Sequence, residues 1–206
     1  MGMTVTKIVK VDNTKKLQEI IKALNNKKIR IGVFGKQDSF ILMIASVNEF
    51  GCTIRPVKGK HLAVPLKSNL VGVSPRQFKD LFAYRDNKGE LWLCKNVGKN
   101  KLDFWYWLPT SVTIPERSFI RGTYYNKKNE MQRFIEKNLD ELFSFKISVD
   151  TYLNRVGEYL AGLTRQYLTD LKEPPKSSIT LASAPGKTNP LIQSGRLRES
   201  ISWEIV

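Results

Sequence analysis

Histidine is almost missing from this chain, with His61 the only one. Acid–base chemistry near neutral pH usually recruits histidine, and metal centres usually need several His or Cys. The two cysteines, Cys52 and Cys94, stand 42 positions apart. That spacing suits neither a disulfide framework nor a zinc knuckle. No stretch approaches the ~18 consecutive apolar residues of a membrane-spanning helix, and the opening MGMTVTKIVKVDN has no apolar core of the kind a secretory signal carries. The signatures GxGxxG, HExxH, GxSxG and the phosphate-binding GxxxxGK are absent. These gaps lean against an enzyme, a metal centre or a cofactor site. Carboxylate pairs or a lysine are the remaining routes to catalysis. Asp140 and Glu141 are adjacent and diverge by about 100° on a helix. Glu116 with Glu130, or Asp86 with Glu90, meet only if tertiary structure brings them together. His61, before an apolar run, reads as a structural histidine.

Positive charge is what the chain has in excess. Its 206 residues carry 34 Lys and Arg against 19 Asp and Glu, a net of +15. Residues 1–60 hold 12 basic and 4 acidic side chains, residues 61–113 hold 8 and 4, and residues 114–206 hold 14 and 11. The first third is therefore the most basic. Such an excess favours nucleic acid or an acidic surface as partner; a lysine-rich solvated surface is the plainer reading. No zinc-finger spacing, RNP-like strand or basic zipper appears, so any DNA contact is expected to be sequence-blind, through phosphate charge. Hydrophobic content of 41% and aromatic content of 10% are those of a folded globular chain.

The periodicity predicts an α+β fold: an antiparallel or mixed sheet backed by two long helices, with an inserted small β subdomain and an extended Pro-rich arm. Thr4–Val11 alternates as a short strand. Leu17, Ile20, Ile21 and Leu24 form one face of a helix, with Thr14 as its cap. Lys28–Gly35 reads as a strand with Ile29, Ile31 and Val33 on one face, and Gly32 and Gly35 read as turn residues. Asp38 or Ser39 caps SFILMIASVNEF, a helix apolar nearly all round and so expected to be buried, with Gly51 ending it. These elements make residues 1–51 the first half of the core.

Residues 52–113 form the predicted insert. KHLAVPL is a short extended run, Ser74 opens a helical turn, and LFAYRDNKGELWLC is a hairpin turning at Asp86–Gly89. LDFWYWLP is a third strand, with Leu102, Phe104, Tyr106 and Leu108 on one face and Asp103, Trp105 and Trp107 on the other. Both faces are large and apolar, which suits an insert core, an interface or a base-stacking platform. Residues 114–171 hold the long helices. Met131, Phe134, Ile135, Leu139 and Leu142 make one stripe; Leu153, Val156, Leu160, Leu163, Tyr167 and Leu171 make the next, with Asp150 as its cap. Residues 172–195 have four prolines and no periodicity, and are expected to be an arm that orders on another surface. Removing Lys176–Thr188 is then expected to leave the monomer folded. Residues 196–206 read as the C-terminal strand.

Several phrases carry a resemblance. RIGVFG followed by IASVNEFG, TIPERSFIR (Thr113–Arg121) and NPLIQSGRLRESISWEIV (Asn189–Val206) resemble the tail-completion and neck proteins of long-tailed bacteriophages, including Mu-like prophages. KHLAVPL and SPRQFKDLF resemble the insert of the family's longer members. The resemblance implies a virion structural protein of the neck or head-proximal tail end, assembled in the host cytoplasm, and not an enzyme. It implies a homo-oligomeric ring of about six or twelve subunits, with portal or adaptor and tail-tube or tail-terminator proteins as partners and no membrane. On that footing the subunit or partner interface is expected at Asn48, Glu49, Phe50 and Gly51, at Trp105 and Trp107, and at Pro190, Leu191, Ile192, Ser194, Gly195, Arg196, Leu197 and Arg198. Lys7, Lys10, Lys27, Lys28, Arg30 and Lys36 are the residues expected to face non-specific DNA in the lumen. A tail terminator capping the tube and a sequence-independent DNA-binding accessory protein are the alternative readings.

Overall fold

The computed structural model describes residues 12–34, 38–99, 101–183 and 186–206. The strand expected over Thr4–Val11, with Lys7 and Lys10, lies outside them, as do Gly35 and Lys36. The first half of the described chain runs α1 (Thr14–Asn25), β1 (Ile29–Val33), α2 (Ser39–Phe50), β2 (Cys52–Ile54), β3 (Val64–Pro65), β4 (Phe82–Arg85), β5 (Leu91–Asn96), β6 (Leu102–Trp107) and β7 (Val112–Ile114). The second half runs α3 (Ile120–Phe143), α4 (Val149–Asp170), α5 (Ser178–Ser183), α6 (Arg196–Glu199) and β8 (Ile201–Ile205). The fold is mixed α+β, with small antiparallel sheets.

The alternating residues near the C-terminus pair with those near the start. β1 and β8 run antiparallel, with Ile29 opposite Ile205, Ile31 opposite Trp203 and Val33 opposite Ile201. Gly32 is inside this ladder opposite Ser202, not in the turn expected for it. Trp203 explains one glycine of α4: a Cβ on Gly157 would lie 2.5 Å from the indole. The ladder spans two apolar clusters. Ile29 and Ile205 pack with Leu142, Leu153 and Val156 of the long helices. Val33 and Ile201 pack with Ile41, Phe119, Leu168 and Leu197.

Local capping explains where the helices start. Asp38 accepts the Phe40 and Ile41 N–H groups, and Gly51, at φ 67°, ends α2. Thr14 is not the cap of α1; Asn13 stands there, and the Thr14 N–H donates to Asp12 Oδ1 at 2.9 Å. The cap of α4 is Ser148, whose Oγ accepts the Thr151 N–H, while the expected Asp150 lies in the first turn and pairs with Lys27. The expected burial of α2 on all sides does not occur. It buries Ile41, Ala45 and Glu49 and leaves Phe40, Met43 and Phe50 more than half exposed.

Residues 52–114 carry two further sheets. β2 and β7 pair side by side, with Cys52 opposite Ile114. Beyond them is a four-stranded sheet in the order β3-β6-β5-β4, its hairpin turning at Asp86–Gly89 as the residues imply. The regular alternation expected for β6 breaks. Leu93 pairs with Tyr106 but Cys94 pairs with Phe104, so Trp105 is an extra, bulged residue. Phe104 therefore meets Trp92 and Tyr84, and Trp92 also meets Trp107. Trp105 has a different neighbourhood, edge-on to Phe78 and beneath Lys67 and Lys95.

The Pro-rich segment is not a loose arm. Asn189 ties it down from both ends of its amide: Nδ2 donates to the Leu168, Thr169 and Leu171 carbonyls, and Oδ1 accepts the Leu191 and Ile192 N–H groups. Leu191 is thereby buried in the core, worth about 2 kcal/mol for a leucine. Polar side chains bonding to backbone replace the missing apolar periodicity. Residues 196–206 are not all strand either, since α6 precedes β8.

Candidate functional site

The side chains with chemistry to offer are engaged structurally. His61 Nδ1 lies 2.9 Å from the Leu108 carbonyl oxygen. Cys94 is buried, and burial pushes its thiol pKa up. Asp86 and Glu90 do come together, but Asp86 accepts the Trp92 indole N–H at 3.0 Å and Glu90 that of Trp107 at 2.6 Å. Glu116 pairs with Arg121, whereas Glu130 pairs with Lys127 and accepts the Tyr159 hydroxyl. No group of three or more His, Cys, Asp or Glu able to hold a metal occurs among the described residues.

The corner at 48–51 is built around Glu49, 4% exposed. Its carboxylate accepts Ser118 Oγ at 2.8 Å, the Ile120 N–H at 2.9 Å, and the Arg121 N–H and Nε at 3.0 Å each. It thus caps the start of α3. Burial pushes its pKa up, but the Ile120 and Arg121 N–H groups, Ser118 and the guanidinium outweigh this and hold it below the usual carboxylate range. Asn48 accepts the Arg117 N–H through its carbonyl at 2.7 Å. A Cβ on Gly51 would lie 2.9 Å from the Glu116 nitrogen. Of the four expected interface residues here, Glu49 and Gly51 are internal joints, and Phe50 is the one displayed, 63% exposed beneath the Arg121 guanidinium. Phe40 and Met43 continue that display along α2, at 56% and 51%.

A cleft of roughly 720 Å³ opens between β7, the end of β6 and the Pro-rich segment. Trp107 and Pro190, far apart in the chain and both expected at an interface, line it together. So do Arg117, met in the sequence only as part of TIPERSFIR, and Lys176, neither of which was expected at a site. Arg117 donates from Nε to the Pro174 carbonyl and from Nη2 to the Pro175 carbonyl, each at 2.7 Å. Lys176 Nζ donates to the Lys187 and Ile192 carbonyls and to Gln193 Oε1. The one signal available in the sequence was a lysine placed directly after two prolines in a stretch with no acidic residue from 174 to 198.

The other expected residues divide. Leu191 and Leu197 are buried in the chain's own core, which removes them from any partner surface, and Ile192 packs against that core half-buried. Arg196 pairs with Asp38 at 2.5 Å, Ser194 and Arg198 are exposed, and Gly195, at φ 86°, precedes α6. Of the basic residues expected to face DNA, Lys27 pairs with Asp150 at 2.8 Å and Arg30 with Glu204 at 3.6 Å, whereas Lys28 is exposed. Trp105 is half-buried beside Lys67 and Lys95. Comparison with known proteins adds no relative: no family model, no curated protein and no solved structure matches the chain.

Proposed function

We propose that this chain is a bacteriophage virion structural protein of the neck or tail-completion type, not an enzyme, which forms a ring at the head–tail junction around the DNA channel. The observation that supports this most is the outer face of α2. Phe40, Met43 and Phe50 are each more than half exposed on one helix. In a chain with net charge +15, an apolar face of this kind is best used in a protein contact. In a closed ring each subunit presents such a face to its neighbour, so one helix serves every junction. The phrases RIGVFG, TIPERSFIR and NPLIQSGRLRES support the choice of particle. In this reading α3, α4 and the β1–β8 ladder are the wedge, residues 52–113 an inserted subdomain, and portal-side and tail-tube proteins the further partners.

Electron microscopy of the purified protein tests the reading. Rings of uniform subunit number are expected, along with co-purification with phage particles. A protein that stays monomeric at all concentrations and is missing from purified particles overturns it. A tail terminator shares these outcomes and differs in binding free tails. The high positive charge favours, as a second reading, a sequence-blind DNA-binding accessory protein. That reading predicts DNA affinity that needs no partner and falls steeply with salt.

A further inference from the structure

The cleft beside β7 holds buried cations with no carboxylate paired to them among the described residues. Arg117 and Lys176 are 7% and 8% exposed. Buried cations normally sit against carboxylates, because burying an unpaired charge is costly. Here every named hydrogen bond from either side chain goes to a neutral oxygen. No ion pair among the described residues includes either one. Lys187, bonded to the Gln193 carbonyl, adds a third positive charge nearby. Burial first, and then Lys187 and Arg117, push the Lys176 pKa down. Arg117 Nη1 has no acceptor among the described residues. Arg117 lines the cleft, and Nη1 is the guanidinium nitrogen its bonds to Pro174 and Pro175 leave over.

The second feature is a strand edge. β7 pairs with β2 alone, so among the described residues its other side carries no strand. Val112, Thr113 and Ile114 line the cleft, and Trp107 supplies an apolar wall. An edge beside a cleft is the usual setting for an added strand: backbone bonds give affinity, and side-chain pockets select the sequence. Its volume, 720 Å³, lies within the range of sites that enclose a ligand.

We infer that this cleft takes an extended acidic segment of a partner protein, which pairs along the open side of β7 and brings a carboxylate to Arg117 Nη1. Charge decides the occupant. A second copy of this chain brings +15 to a site already rich in cations. Nucleic acid would satisfy the cations but would not use the strand edge or the apolar wall. The inference concerns the cleft alone and holds whether or not the chain forms a ring.

Fluorescence anisotropy with a labelled octapeptide of alternating valine and glutamate tests it. The Val–Glu peptide is expected to bind roughly tenfold or more tightly than the Val–Gln peptide, the size of one charge-assisted hydrogen bond. Arg117→Gln is expected to remove that preference, but Arg117 also holds the Pro-rich segment, so that variant alone does not separate lost binding from lost fold. Ser111→Trp avoids that problem. Ser111 is exposed, lines the cleft and anchors nothing named above. The bulky indole is expected to weaken peptide binding about tenfold while circular dichroism and melting stay unchanged. Equal binding of the two peptides, undetectable binding of both, or full binding by Ser111→Trp overturns the inference. So does displacement of the Val–Glu peptide by an oligothymidine of equal or higher affinity. Ring formation is scored separately by microscopy, so failure here is distinguishable from failure of the ring.

Discussion

Glu49 shows how much one side chain can carry and how little of that is visible locally. Its carboxylate accepts the Ile120 N–H 71 positions away. A glutamate near the end of a helix otherwise reads as solvated. Asp38 and Gly51 were legible because their partners are neighbours, through an N-cap and a positive-φ helix end. Glu49→Gln leaves buried donors facing a neutral amide, and is expected to cost about 3 kcal/mol in urea unfolding. The pH dependence has a definite sign. The folded pKa is lowered, so the carboxylate stabilises fully above its unfolded value of about 4.3, and this is lost as pH falls through the folded value. Between about pH 5 and that lower value, the melting temperature of the wild type should fall more steeply than that of Glu49→Gln. Gly51→Ala meets both a left-handed backbone and the Glu116 nitrogen at 2.9 Å. A loss of roughly 2 kcal/mol is expected by the same measurement.

At the scale of elements, long periodic helices and alternating strands were readable, and irregular devices were not. α3, α4, the 82–96 hairpin and the strand at 201–205 follow apolar patterns, whereas the pairing of that strand with 29–33 is a long-range contact with no local signal. The bulge at Trp105 does not, because one unpaired residue shifts the faces without changing composition. The Pro-rich segment was misread for a related reason. Its order comes from Asn189, Lys176 and Arg117 bonding to carbonyls, and such bonds have no period. Deleting Lys176–Thr188 is therefore expected to lower the melting temperature and broaden the transition. The deletion removes the Lys176 anchor and loosens the approach to Leu191 in the core. A deletion variant that melts like the wild type would show that Asn189 alone holds the segment.

For the whole described molecule, two apolar clusters share one two-stranded ladder, so residues 29–33 and 201–205 tie the clusters to each other. That leaves α2 with one face inside and one outside. The composition of SFILMIASVNEF pointed to burial; the structure leaves Phe40, Met43 and Phe50 more than half exposed. Met43→Lys with Phe40→Ser is expected to keep the fold, because neither side chain is in the buried clusters, and to abolish higher assembly in sedimentation velocity. Unchanged assembly would move the subunit contact elsewhere. For DNA, the exposed pairs of Lys27 with Asp150 and Arg30 with Glu204 already blunt the basic first third.

The β2–β7 pair sets Cys52 opposite Ile114. Everything between them departs from and returns to a single doorway. A tight turn of a few residues can bridge that gap, so the covalent path through the helices and the β1–β8 ladder does not need the length of chain between them. A change of length there would be absorbed at one pair of facing residues, without altering the register of 29–33 against 201–205.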